Sequence, residues 1–315
     1  MDQILINQNF DDFDSFATTA QEWDVDFLQM EKGSFAADLL QYVSKDFQFA
    51  RACFNRSLEQ KGSPPKKVWT FALKVLPDLF MYFKNKKIIQ NDLMIYHPGS
   101  EIDATSLSRF DVFTFSVSEG FLEALAEKNR ILNFRKYFKD VHVLTCEQYA
   151  IDRLRDLLLR LFHELMHNTG RKPKARLRKN WLFNAIPETI LRAACHFQEP
   201  KYNPVLVRDI AFQKATEYVH TFGKEKLTIK DLAFQTRVSD RTLEHVFGDR
   251  LGVTPKQYIR AVRLNRVRQG LKKSIYSKIT ITDIAYECGF GHMGQFAKDY
   301  KQMFGELPSS TLKKK

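Results

Sequence analysis

His163-Glu164-Leu165-Met166-His167 has the spacing of the helical H-E-x-x-H motif, in which two histidines one turn apart bind zinc and the glutamate activates a water. Three fixed positions in five residues arise by chance in on the order of one chain in a hundred of this size, so the surroundings decide. They oppose a cation, because Arg160, Arg171 and Lys172 crowd the motif with positive charge. Glu188 is the one acidic candidate for a third ligand, and no other motif places it nearby. The helix carrying the motif, Glu147 to Met166, has an apolar seam at Ile151, Leu154, Leu158, Leu161 and Leu165, which puts His163 and His167 on its wetter side. A zinc hydrolase is thus the remote alternative, and no metal, cofactor or catalytic residue is expected. The 3-4-3-4 seam fits either a short dimer contact or packing on the helix's own domain.

The other residues able to do chemistry lie in the last third, and they are duplicated. Thr228-Ile229-Lys230-Asp231-Leu232-Ala233 returns as Thr280-Ile281-Thr282-Asp283-Ile284-Ala285. In each, Thr can cap a helix whose first turn holds the acid, and the small Ala lets a second helix cross closely. Leu243, Phe247, Gly252 and Pro255 follow the first Ala at offsets 10, 14, 19 and 22; Phe296, Tyr300, Gly305 and Pro308 follow the second at 11, 15, 20 and 23. One extra residue in the second turn, at Gly289-Phe290-Gly291, accounts for every difference. Two short helices around a tight turn form a helix-turn-helix. Ser239 is the expected cap of the first unit's second helix, after the turn Thr236-Arg237-Val238. A helix from Pro255 to Leu271, with Thr254 as cap, spans roughly 25 Å and holds the two units apart. Arg260, Arg263, Arg266 and Arg268 add positive charge along it.

Charge is distributed to match. Residues 201–315 carry 22 Lys+Arg against 11 Asp+Glu, whereas the first 200 hold 27 against 26. A basic module on a neutral one suggests a polyanion partner for the former. The 315 residues, 44% hydrophobic and 27% charged, suit a folded protein of two domains. No stretch approaches the roughly 20 apolar residues of a membrane span, and the acidic N-terminus lacks an export signal. Cys53, Cys146, Cys195 and Cys288 lie far apart with no C-x-x-C pair, which fits a reduced cytoplasm.

From about Trp23 to Ser118 the pattern is one of short strands, with runs at Val25–Met30, Phe47–Phe54, Val68–Leu73 and Phe110–Phe115. Turn signals separate them at Lys32-Gly33-Ser34, Lys61-Gly62-Ser63-Pro64-Pro65, Asn91-Asp92 and His97-Pro98-Gly99-Ser100. Such spacing suggests an antiparallel sandwich or barrel. Helical pattern begins after Ser118. Arg171 to Asn180 reads as an exposed basic linker, and helices follow near Pro187–Phe197 and Val205–Phe222.

The stretch from about Val205 to Leu312 resembles the DNA-binding domain of AraC/XylS-family transcriptional regulators. The match is densest in Ile281-Thr282-Asp283-Ile284-Ala285-Tyr286-Glu287-Cys288-Gly289-Phe290, then in Phe296 to Gly305, and in Pro308-Ser309. The resemblance implies an α+β, multidomain chain. Residues 1–144 would form a β-rich, cupin-like effector or dimerisation domain, 145–200 a helical connector with a basic linker, and 201–315 an all-α domain with two helix-turn-helix units. His97 stands alone, without the paired histidines of a metal-binding cupin. The implied function is sequence-specific DNA binding by a cytoplasmic transcription activator; an architectural DNA-binding protein without an effector is the alternative. Implied partners are promoter DNA and RNA polymerase, with a homodimer and a small-molecule effector as further candidates, and no membrane. Aligned on the family, Ser239, Asp240, Arg241, Thr242, Glu244 and His245 of the first unit face DNA, as do His292, Met293, Gln295 and Lys298 of the second. Arg241 suits guanine, Glu244 cytosine N4, Gln295 adenine, Lys298 guanine or phosphate, and Met293 a thymine methyl. Gly294 beside Met293 is a poor reader, so the second unit relies more on phosphate contact and DNA shape. A change at Arg176 in the basic linker is expected to weaken all DNA sequences alike.

Overall fold

The computed structural model describes residues 3–131, 133–167, 173–195, 207–223, 227–273 and 279–313, with side chains from 178 onward in the third stretch. The first elements are β1 (Ile4–Phe10), α1 (Phe13–Thr19), β2 (Asp24–Gln29), β3 (Ala37–Val43), β4 (Phe47–Phe54) and β5 (Leu58–Ser63). There follow β6 (Val68–Lys74), β7 (Met81–Phe83), β8 (Lys86–Lys87), β9 (Asp92–Tyr96), β10 (Ile102–Ser106) and β11 (Phe110–Ser118). Next come α2 (Glu119–Lys128), α3 (Phe134–Phe138), β12 (Val143–Thr145), α4 (Gln148–His167) and α5 (Pro173–Cys195). The rest is helical: α6 (Val207–Phe222), α7 (Ile229–Thr236), α8 (Asp240–Leu251), α9 (Pro255–Lys273), α10 (Ile281–Glu287), α11 (Met293–Phe304) and α12 (Pro308–Lys313). The expected architecture, a β-rich part followed by connecting helices and an all-α part, is the one the chain forms.

The strands make two antiparallel sheets, ordered β1-β3-β4-β11-β6-β9-β12 and β2-β5-β10-β7-β8. Alternation along each strand sends neighbouring residues to opposite faces, and in the larger sheet, the exposed edge strand β1 apart, both faces are buried. On β3, β6, β9 and β11 the residues Leu39, Ala72, Met94 and Val112 look inward toward a cavity. Their neighbours Leu40, Phe71, Leu93 and Phe113 look outward and join a core with α2 to α5. Phe54 and Phe110, paired across β4 and β11, stack inside with ring centroids 4.3 Å apart.

The apolar seam of α4 belongs to that outer core. Ile151, Leu154, Leu158, Leu161 and Leu165 are all buried, packed with Leu182, Phe183, Ile186 and Ile190 of α5 and with the sheet. A seam spent inside its own chain is unavailable to a second copy, so the dimer contact drawn from its spacing is set aside. The basic stretch read as a linker is also different: from Pro173 it is already helix. Proline fits the first helical position, where its missing N–H has no partner to lose. Residues 168–172, 196–206 and the side chain of Arg176 lie outside the described residues.

The smaller sheet separates the cavity from the C-terminal helices. A charged clamp at its side starts at Asp12, which caps α1 by accepting from the Asp14 and Ser15 N–H groups, both at 2.9 Å. The same carboxylate pairs with Arg268 and, at 2.8 Å, with Lys272 of α9. Arg268 is 3% exposed and also meets Glu306 at 2.6 Å. Burial opposes a charge on Asp12, but Lys272, the Ser15 N–H and Arg268 outweigh it and hold its pKa down at about 2, against 3.8 ordinarily.

A folded-state pKa below the unfolded one stabilises the protein above about pH 4 and ceases to as pH falls toward 2. Asp12→Asn should therefore cost about 2 kcal/mol near neutrality, with the deficit vanishing by about pH 2. Urea denaturation of both proteins across that range measures it; a deficit independent of pH would mean that the clamp's charge contributes nothing.

Candidate nucleic-acid interface

Both expected helix-turn-helix units form, and their local chemistry is the same. Thr228 and Thr280 each complete a capping box. The Thr hydroxyl accepts from the N–H of Asp231 at 3.3 Å or of Asp283 at 3.2 Å, and each Asp carboxylate accepts from the Thr N–H. Ser239 caps α8 by accepting from Thr242 N–H at 3.2 Å. Arg237, with φ 57°, turns the chain between α7 and α8, and Gly289, with φ 84°, does so after α10. Leu232, Leu243 and Phe247 of the first unit, and Ile284, Phe296 and Tyr300 of the second, are buried.

Between the units α9 runs 19 residues, roughly 28 Å at 1.5 Å per residue. It is a core helix. Tyr258, Ile259, Val262, Leu264, Val267 and Leu271 are buried around its circumference, while Lys256, Gln257, Arg260 and Lys273 stay exposed. Its arginines do not form a cationic stripe. Arg260 pairs with Asp299, Arg263 donates to Gly223 O at 2.8 Å, Arg266 donates to His220 O, and Arg268 is in the Asp12 clamp. The positive charge expected along this rod is thus largely engaged inside the fold.

The two recognition helices are held alike, by their C-terminal ends. On α8, Arg250 is 4% exposed. It donates to the side chain and backbone of Asn85 at 2.9 and 3.0 Å, pairs with Asp209 at 2.7 Å and covers the Tyr82 ring. On α11, the carbonyls of Gln302 and Met303 accept from Gly33 N–H at 2.9 and 3.1 Å, and Gln29 Nε2 donates to Met303 O at 2.6 Å. A loop of the β-rich part thereby satisfies last-turn carbonyls that a helix cannot pair itself. Both helices end in left-handed glycines, Gly252 (φ 67°) and Gly305 (φ 75°).

Their N-terminal halves face outward. Ser239, Asp240, Arg241, Glu244 and His245 are exposed and Thr242 is half-buried. On α11 and its cap, His292, Gly294, Gln295 and Lys298 are exposed, while Met293 is half-buried and packs on the core. Gln295 Nε2 donates to Asp299 at 2.8 Å, and His245 Nδ1 lies 3.1 Å from Asp249. Met293 is therefore less free to touch a base than its position suggested, and Gln295 must exchange a partner to do so.

Residues of the docking layer escaped the sequence reading. Glu59 of β5, 4% exposed, accepts from Tyr258 OH of α9 at 2.8 Å, with His220 Nε2 of α6 at 3.0 Å and Lys61 at 3.2 Å. Burial raises its pKa, but His220, Lys61 and Tyr258 together pull it below the usual carboxylate value. Asn265 of α9 meets the edge strand β2 like another strand, accepting from Gln29 N–H at 3.0 Å and donating to Gln29 O at 2.9 Å. An Asn flanked by Leu264 and the arginines of α9 carries no local signal of that contact.

The H-E-x-x-H segment takes another part. His163 and His167 are exposed, and Glu164 pairs with Arg178 of α5 at 3.2 Å. Among the described residues no group of three His, Cys, Asp or Glu side chains converges as a metal site. Among them, too, no helix is long and apolar enough to cross a membrane.

Paired helix-turn-helix units on one rigid helix, with recognition helices exposed at their N-terminal halves, define a DNA-binding domain. Residues 232–314 match the family described as a helix-turn-helix domain. The XylDLEGF operon transcriptional activator of Pseudomonas putida is 36% identical over 103 residues, 33% of this chain and 32% of that protein. A probable AraC family transcriptional regulator from Rhodopseudomonas palustris, of solved structure, is 34% identical over 32% of this chain and 94% of its own, with TM-score 0.31. The AraC-like transcriptional activator CuxR aligns over 90% of this chain at 14% identity and TM-score 0.44. The C-terminal third of this chain belongs to the AraC/XylS family. The match spans about a third of the length of the curated relatives.

A side chain at Gly305 would collide with the Ser34 hydroxyl, whereas one at Gly252 would make ordinary contact with Leu107. Gly252→Ala should cost about 1 kcal/mol for its left-handed backbone, and Gly305→Ala about 2–3 kcal/mol because packing strain is added. Equal losses in urea denaturation would mean that α11 is not seated on the β2–β3 loop.

Proposed function

We propose that the whole chain is a sequence-specific transcription activator of the cytoplasm, binding promoter DNA through residues 201–315 and sensing an effector through residues 1–144. The observation that carries this reading is the shared geometry of α8 and α11. Each is anchored at its C-terminal end and exposes the N-terminal half that enters a major groove. Ser239, Asp240, Arg241, Thr242, Glu244 and His245 are the proposed DNA contacts of the first unit. His292, Met293, Gln295 and Lys298 are those of the second, with Met293 the weakest. The name of the Pseudomonas putida relative, a transcriptional activator of an operon, supports activation, and RNA polymerase is the partner proposed for it. A homodimer would use a face other than the α4 seam.

Arg241 is the proposed guanine reader. On a duplex selected from random sequence, Arg241→Ala should lower discrimination at one base pair about tenfold to hundredfold, leaving the other positions unchanged. Gln295→Ala should act more weakly, because its amide already has a partner on the helix. Competition gel shifts over a salt series measure both. An Arg241→Ala protein that binds every sequence equally less well would assign Arg241 to phosphate and favour an architectural role.

A further inference from the structure

The cavity between the two sheets has a composition that names a class of ligand. Its volume is about 70 Å³, several times the 10–15 Å³ or so that one water requires on the same measure. Space is left by small side chains, among them Ala17, Ala50, Ala52, Ala72 and Ala104. Aromatic walls, including Phe16, Trp23, Phe54 and Tyr96, enclose it. No Lys, Arg, Asp, Glu or His lines it. An ionised ligand would therefore leave water without a countercharge, at large cost.

Gln41, Gln60, Thr114 and the Tyr96 hydroxyl interrupt the apolar wall. Gln41 is already satisfied, its amide exchanging hydrogen bonds with the backbone of Gln21 at 2.8 and 3.0 Å. Gln60 is not. It is 8% exposed, lines the cavity, and its Nε2 has no hydrogen-bond partner. A buried donor without a partner is costly, and here its side chain lines a space large enough for the missing acceptor.

We propose that this cavity binds a small, neutral, largely apolar molecule, of single-ring or short-chain size, whose hydrogen-bond acceptor meets Gln60 Nε2. This deepens the sensory role proposed for residues 1–144 by fixing the ligand's charge and polarity. The site also lies where it can be read. Gln60 faces the cavity, and Glu59, the residue before it on β5, faces the other way and holds Tyr258 and His220 of the DNA-binding helices.

Three probes of one shape test the assignment on the full-length protein without DNA: acetophenone (neutral, with an acceptor), isopropylbenzene (neutral, without one) and benzoate (charged). Binding is followed by thermal shift and by the fluorescence of Trp23, with Trp23→Phe as control. Acetophenone should bind at least tenfold more tightly than benzoate and about fivefold more tightly than isopropylbenzene. Gln60→Leu should remove the advantage over isopropylbenzene, and Ala72→Phe, which fills the space, should abolish binding of both neutral probes. Benzoate binding as well as acetophenone, or none of the three binding the wild-type protein, would overturn the proposal. The ligand series on wild-type protein decides the matter even if a variant fails to fold. Because no DNA is present, failure here leaves the DNA-binding reading to its own test.

Discussion

A β-strand has two faces, and in the five-stranded sheet both are occupied. Gln60, Phe27, Met81 and Ala104 point into the cavity, while Glu59 and Tyr82 point toward the helices that carry the DNA-binding units. The docking groups on the outer face are polar and need partners of defined geometry. A carboxylate as buried as Glu59 is tolerable only while Tyr258, His220 and Lys61 surround it. Sliding or tilting the helices would break those bonds together, so the sheet dictates where α9 lies, and α9 dictates where the two units lie.

The same requirement explains how the basic charge is spent. Arg250, Arg260 and Arg268, which in sequence look like part of a cationic surface, each face a carboxylate, on Asp209, Asp299 and Asp12 respectively. They join α9 and the recognition helices to their supports. Arg241 and Lys298, by contrast, stand exposed on the first halves of α8 and α11. Rigid anchoring at one end and exposure at the other suits readout by shape and base edge, because a helix held in place loses little freedom on binding.

The C-terminal third was legible because its signals are local and repeated. Thr228 and Thr280 with their acids, Ser239, Gly252, Gly305, Pro255 and Pro308 are caps and stops, and each acts within four residues of itself. Of the strands, β2, β4, β6 and β11 were legible, being rich in aromatic and β-branched residues. β5 was not: Leu58-Glu59-Gln60-Lys61-Gly62-Ser63 looks like the approach to a turn, because Glu59 is satisfied by α6 and α9 and Gln60 lines the cavity, neither facing water. The α4 seam shows the reverse problem. Its spacing describes an apolar stripe correctly but carries no information on what covers it, and α5 with the larger sheet does so. The pairings Asp12–Arg268 and Asn265–Gln29 join residues more than two hundred positions apart, beyond any local pattern.

Selection of binding sites from a random-sequence DNA pool by the full-length protein measures how far apart α8 and α11 read the duplex. Two reading helices fixed on one rigid rod should enrich a motif of two conserved blocks, their centres about 10–10.5 base pairs apart on one face of the duplex. A single block, blocks at variable spacing, or no enrichment at all would contradict it.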